Sequence, residues 1–170
     1  MTLPEGPCVF EPLRDQDKKA FSCGVRELDD YLYLQASKDS QRKVAAPFVM
    51  LDRGGWILGY YTLSSYGINA SELPPDVVKK LPRYPLLPAT MLGPLAVSSS
   101  QRGKKLGRLL LIDALHRSWK NTLQVASVGV IAEAHDDSAR QFYLHHEFVP
   151  LADHPRKFFL AMRTIEKSLA

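Results

Sequence analysis

The residues most suited to chemistry are Gln101-Arg102-Gly103-Lys104-Lys105-Leu106-Gly107, which follow the apolar run at 92–97 and lead into a helical pattern from Arg108 onward. A helix start exposes unpaired backbone N–H groups and the positive end of the helix dipole. Glycine lets a ligand approach the backbone, and four cations, Arg102, Lys104, Lys105 and Arg108, add charge. This combination suits a pyrophosphate. A plain strand-to-helix turn with a basic surface fits the same residues. The patterns GxxxxGK[ST] and GxGxxG are absent, so nothing points to a nucleoside triphosphate or a dinucleotide. A second group, Ala139, Phe142, Tyr143 and His146, recurs at helical spacing and reads first as core packing. His145 and His146 are adjacent, so on a helix their side chains diverge by about 100°. No carboxylate or cysteine completes a ligand set with them, and no metal is expected.

These residues need a scaffold, and the chain supplies one pattern by pattern. A short strand is predicted at 7–13 and a helix from Val25 to about Gln41, where Val25, Leu28, Leu32 and Ala36 recur. Strands at 46–52 and 56–64 flank the turn Arg53-Gly54-Gly55 and form a hairpin. Prolines 74, 75, 82, 85 and 88 mark 65–89 as a long loop with one helical turn at 75–80. The segment 90–97 is a buried strand interrupted at Gly93-Pro94, which points to a bulge or an edge. A polar turn at 98–104, a helix at 105–119, a strand at 127–134, a helix at 137–146 and a last strand at 157–163 follow. Strands and helices mix without strict alternation. The fold class is therefore α/β with a mixed central sheet flanked by helices.

The chain has 170 residues, 45% hydrophobic and 24% charged, which suits one globular domain spanning 1–170. The net charge of +4 permits an anionic partner without demanding one. Basic residues cluster at Arg42–Lys43, at Lys79, Lys80 and Arg83, at Arg102 to Arg108, and at Arg156 and Lys157. Each cluster reads either as solubilising surface or as phosphate contact. Cys8 and Cys23 form no CxxC pair and are expected as reduced structural thiols. The first residues lack a basic region followed by an apolar core, and no apolar run approaches the ~20 residues of a bilayer span. A cytoplasmic protein is expected, with no membrane contact.

Arg102-Gly103-Lys104-Lys105-Leu106-Gly107 resembles the acetyl-CoA signature [RQ]-x-x-G-x-[GA] of the GNAT acetyltransferase family, with Lys105 where the family most often has its central glycine. The preceding LGPLAV and the later SARQFYLHHEF resemble that family in the same order. More closely, FSCGVRELDDYL, GYYTLS, LPRYP, LGPLAV and ARQFYLHHEF are similar to GNAT-type toxins of bacterial toxin–antitoxin modules, which acetylate the α-amino group of aminoacyl-tRNA. The sequence departs from them at Pro94, where an Arg is often found, at Ser98, where an acidic residue is frequent, and at Glu147, where a Gly is usual.

The resemblance implies a GNAT fold and acetyl-CoA as cosubstrate. The backbone of Leu95, Ala96 and Val97 would hold the pantetheine arm. Backbone N–H groups from Arg102 through Gly103, Lys104, Lys105, Leu106 and Gly107 to Arg108 would cradle the pyrophosphate, and Phe142 would pack beside the cofactor. A splay between the strands at 90–97 and 127–134 would admit it. Tyr143 takes the place of the catalytic tyrosine, a phenol of pKa about 10 that can protonate a thiolate leaving group. Glu133 is a candidate water relay. Lys79, Lys80, Arg83, Arg156 and Lys157 would contact tRNA. The implied partners are aminoacyl-tRNA and a ribbon-helix-helix antitoxin, and a homodimer is compatible with the reading. Acetylation of another amine, such as a protein N-terminus or a small molecule, and a non-enzymatic CoA-binding regulator are the alternatives.

Overall fold

The computed structural model describes residues 8–169. Seven strands form a mixed sheet: β1 (Val9–Pro12), β2 (Ala46–Leu51), β3 (Ile57–Asn69), β4 (Leu86–Val97), β5 (Gly129–Glu133), β6 (Val149–Leu151) and β7 (His154–Ala161), in the order β1-β2-β3-β4-β5-β7-β6. The chain forms two compact units, one of residues 8–64 with 93–114 and one of residues 65–92 with 115–169.

In the first unit β1, β2 and β3 pair antiparallel. Asp52 closes the β2–β3 turn by accepting from the N–H groups of Gly54 (2.9 Å) and Trp56 (3.0 Å). One helical run follows Val25: α1 (Arg26–Asp30), a π segment (Tyr31–Gln35) and α2 (Ala36–Gln41). Its Leu32 and Ala36 join Phe21, Val49, Tyr60 and Ala96 in a core. Tyr60 donates to the Leu28 carbonyl at 2.6 Å, which locks the run onto β3. Helix α4 (Leu106–Asn121) presses Leu110 onto Gly59 of β3, where a Cβ would lie 2.6 Å from the Leu110 side chain. Gly93 of β4 is needed for a similar reason, since its Cβ would collide with the Thr62 hydroxyl at 2.1 Å.

In the second unit β4 and β5 pair in parallel over Thr90–Leu92, and β5 pairs antiparallel with β7, which pairs with β6. The short helix α3 (Pro75–Val78) starts on a proline, whose missing N–H costs nothing at that position. Ile68, Leu73, Leu87, Ile131, Leu151 and Phe159 form the core. Helix α5 (Asp137–His145) follows β5, and α6 (Met162–Leu169) follows β7.

Three expectations are corrected. The segment 65–89 is not one loop: β3 runs on to Asn69 and β4 begins at Leu86. Buried Ile68, Leu87 and Ala89 continue the strand alternation on either side, and Pro88, exposed, lies where its absent donor is harmless. Strand β4 is neither interrupted at Gly93-Pro94 nor an edge, because Pro94 comes after the parallel ladder with β5. The last strand does not reach 163. The chain turns at Ala152–Asp153 into β7, and Met162 begins α6, whose Met162 and Ile165 are buried. The first residue of the strand predicted at 7–13 lies outside the described residues.

Candidate active site

The turn between β4 and α4 is tied down on one side and open on the other. Ser98 N–H donates to the Leu58 carbonyl at 2.8 Å, and the N–H and hydroxyl of Ser99 both donate to the Ser22 carbonyl, at 2.8 and 2.9 Å. Arg102 reaches back to the Cys23 carbonyl at 3.2 Å across Gly24, where a Cβ would lie 2.8 Å from its guanidinium. Arg102, itself exposed, therefore braces the turn. The N–H groups of Arg102 and Lys104 close the turn on Ser99 and Gln101 carbonyls, each at 3.4 Å. This leaves the start of α4, at Leu106, Gly107 and Arg108, to present donors. Gly103 (φ 82°) and Lys105 (φ 57°) carry left-handed backbone, so Lys105 holds the geometry that its glycine counterpart would adopt freely. Leu106 is buried and pins the helix, while Lys104, Lys105 and Arg108 are exposed. Leu95 and Val97 are half-buried and flank buried Ala96. An open turn of exposed cations before an anchored helix start fits a pyrophosphate.

Tyr143 lies in the opposite kind of environment. Asp136 caps α5 by accepting from the Ala139 N–H at 2.8 Å. The helix ends in a Schellman motif: Phe148 N–H donates to the Tyr143 carbonyl (3.1 Å) and Glu147 N–H to the Leu144 carbonyl (3.2 Å). Glu147, at φ 71°, occupies the left-handed position where glycine is usual. The motif brings the Phe148 ring within 5.2 Å of the Tyr143 ring, and Phe158 stacks on it at 6.2 Å. Phe142 meets Tyr143 edge-on at 5.4 Å and His146 at 4.7 Å. Tyr143 is 3% exposed, and burial pushes its pKa above that of an ordinary phenol. The phenol is thus neutral at every physiological pH. Cys23 is buried and free, and burial reinforced by the Asp29 hydrogen bond pushes its thiol up to about 11. It is a structural thiol.

The basic residues divide. Lys79, Lys80 and Arg83 are exposed just after α3. Arg156, also exposed, donates to the His135 carbonyl at 3.4 Å. Lys157 is half-buried, with Nζ 3.4 Å from the Tyr66 hydroxyl and 5.6 Å from the centre of its ring. It stands opposite Glu133 in the β5–β7 register, and Glu133 is exposed. Glu72 ties the α3 segment to the β6–β7 turn twice, through Ala152 N–H (2.9 Å) and the His154 ring (3.1 Å). Tyr66 and Asp136 escaped the sequence reading. Asp136 was legible as an Asp before a helical stripe, whereas Tyr66 fell in the supposed loop. Among the described residues no group of three or more His, Cys, Asp or Glu is placed to hold a metal, and no helix is long and apolar enough to cross a membrane.

No family model matches the sequence. The chain is 31% identical over 147 residues to the tRNA-acetylating toxin of Mycobacterium tuberculosis, covering 86% of this chain and 87% of that protein. Among solved structures, AtaT complexed with acetyl-methionyl-tRNAfMet superposes with a TM-score of 0.88 at 27% identity, covering 95% of this chain and 98% of that one. AtaTR bound with acetyl-CoA gives a TM-score of 0.84 at 27% identity over the same shares of the two chains. At this identity and coverage the chain belongs to the GNAT-type, tRNA-acetylating toxins of toxin–antitoxin modules.

Proposed function

We propose that this protein transfers the acetyl group of acetyl-CoA to the α-amino group of an aminoacyl-tRNA, removing that tRNA from translation. The observation that carries the reading is Tyr143: a phenol kept neutral by burial and fixed by the Schellman motif, in a chain of this family. The amine lone pair attacks the thioester carbonyl carbon, and the C–S bond breaks. The leaving thiolate takes the Tyr143 proton, and the proton shed by the acetylated nitrogen returns through water to the phenolate, restoring Tyr143. An α-amine ordinarily titrates near pH ~8, so a useful fraction is neutral at pH ~7 without a strong base. Glu133 serves, at most, as a water relay.

The start of α4 and the cations Lys104, Lys105 and Arg108 bind the pyrophosphate, with Arg102 as the brace behind them. Leu95, Ala96 and Val97 hold the pantetheine arm through their backbone, and Phe142 packs at its edge. Lys79, Lys80, Arg83, Arg156 and Lys157 contact the tRNA. Residues 1–170 act as one catalytic domain in the cytoplasm, neutralised by a ribbon-helix-helix antitoxin. Incubation with labelled acetyl-CoA and charged or uncharged tRNA tests the reading. Label should enter charged tRNA alone, and failure to label any charged tRNA would reject it.

A further inference from the structure

A groove of about 500 Å³ lies in the second unit between the α3 segment and α6. Its floor is apolar, with Leu81, Val128 and Phe159. Its rim carries Lys80, Arg163 and Lys167 against the single carboxylate of Asp76. Burial of Met162 and Ile165 turns the other face of α6 outward, and Arg163 and Lys167 share that face at i and i+4. All three cations are exposed, and none is ion-paired with a described carboxylate. Beside them, Lys79, Arg83 and the 64%-exposed ring of Tyr84 extend the same segment.

We infer that this groove takes one unpaired nucleotide of the RNA acceptor, with the base on the apolar floor and its phosphates on Lys80, Arg163 and Lys167. The inference rests on the proposed acceptor. A bare phosphate needs no apolar floor, and an apolar side chain needs no ring of cations. A nucleotide joins both on one ligand, in a volume typical of small-ligand pockets. Cations interleaved with an exposed ring are the pattern of single-strand binding surfaces. The groove also has a definite place along the sheet. Tyr143 stacks on Phe158, which pairs with Ala132, whereas the groove is lined by Ala161, which pairs with Gly129. The groove's own β7 residues, Phe159 and Ala161, alternate with Phe158, so the groove and the Tyr143 ring lie on opposite faces of that strand. The nucleotide held is therefore not the one that carries the amino acid but one farther along the strand.

The test uses labelled aminoacyl-tRNA binding across a salt series, together with steady-state acetylation. Replacing Lys80, Arg163 and Lys167 together by Ala should weaken tRNA binding about tenfold or more and lower the salt slope by about 2 to 3. The kinetic effect should fall on KM for tRNA, while KM for acetyl-CoA stays constant. Thr164→Trp, which fills the groove without changing charge, should weaken binding and leave the salt slope unchanged. Lys120→Ala, on the exposed end of α4, serves as the control and should alter neither. Wild-type protein that acetylates aminoacyl-tRNA while both groove variants bind it normally would overturn the groove assignment. Loss of affinity only for an acidic partner protein would reassign the groove to that partner. Wild-type protein that neither binds nor acetylates any aminoacyl-tRNA would instead remove the acceptor reading beneath it.

Discussion

Two helix ends in this molecule use the same backbone device to opposite effect. Lys105, before α4, and Glu147, after α5, are both left-handed non-glycine residues, at φ 57° and 71°. Around Lys105 the device opens the chain: Gly103 has nothing near its missing Cβ, and the cations stand in solvent. Around Glu147 it closes the chain, folding Phe148 back onto Tyr143. A site for a polyanion needs donors and charge that water can leave, whereas a proton donor needs to be kept neutral and still. On the proposed mechanism the two ends divide binding from proton transfer.

The sharpest way to break that division is Tyr143→Phe. Turnover should fall about 10² to 10⁴-fold, the usual worth of a positioned acid. Acetyl-CoA affinity measured by calorimetry should not change, because the ring and its packing remain. Full turnover in this variant would leave the Tyr143 end with packing alone. The pH profile carries the same contrast. Burial raises the phenol's pKa, so its donor form persists where an exposed tyrosine ionises, at about pH 10. The kcat profile should rise through the α-amine titration near pH ~8 and show no decline at pH ~10. By the same sign, Tyr143 begins to cost stability only above pH ~10, where the unfolded chain ionises first.

At the other end, replacing Lys104 and Arg108 together by Ala should raise KM for acetyl-CoA about tenfold, with kcat nearly unchanged. A fall in kcat with constant KM would mean that binding and chemistry are not divided. Asp136→Ala should lower stability by about 1 kcal/mol through loss of the α5 cap, read as a lower thermal midpoint. The smallest effect tests the device itself. Lys105→Gly and Glu147→Gly should each stabilise the fold by up to about 1 kcal/mol, read as a higher denaturant midpoint, since glycine carries no left-handed penalty. A loss of stability in either would show that the side chain contributes more than its backbone costs.

The sequence already located both ends, because a strand, a basic glycine turn and a helix leave strong local signals. Helix α5 was equally plain from the spacing of Ala139, Phe142 and Tyr143. What stayed hidden depended on distant partners. Prolines 74 to 88 suggested a loop, but Ile68 and Leu87 gain their strand conformation from a core that periodicity does not reveal. The short β6 strand has too few residues to show alternation, and α6 was obscured by the apolar run that precedes it. Arg102 matched a phosphate-binding signature, yet its hydrogen bond goes to Cys23, a partner no local pattern could name. The left-handed backbone at Lys105 and Glu147 was hidden for the opposite reason: each departs from the glycine that would have advertised it.

The bonds from Ser99 to Ser22 and from Arg102 to Cys23 span 77 and 79 residues. Contacts so far apart in sequence tend to form late, after local helices and hairpins exist. The β2–β3 hairpin and α4 can form from neighbouring residues, but the turn between β4 and α4 is braced only when the chain's beginning returns to meet it. A molecule still being synthesised therefore gains the turn proposed to bind its cosubstrate only near the end of folding. Until then it can hold much of its secondary structure while that turn still lacks its brace.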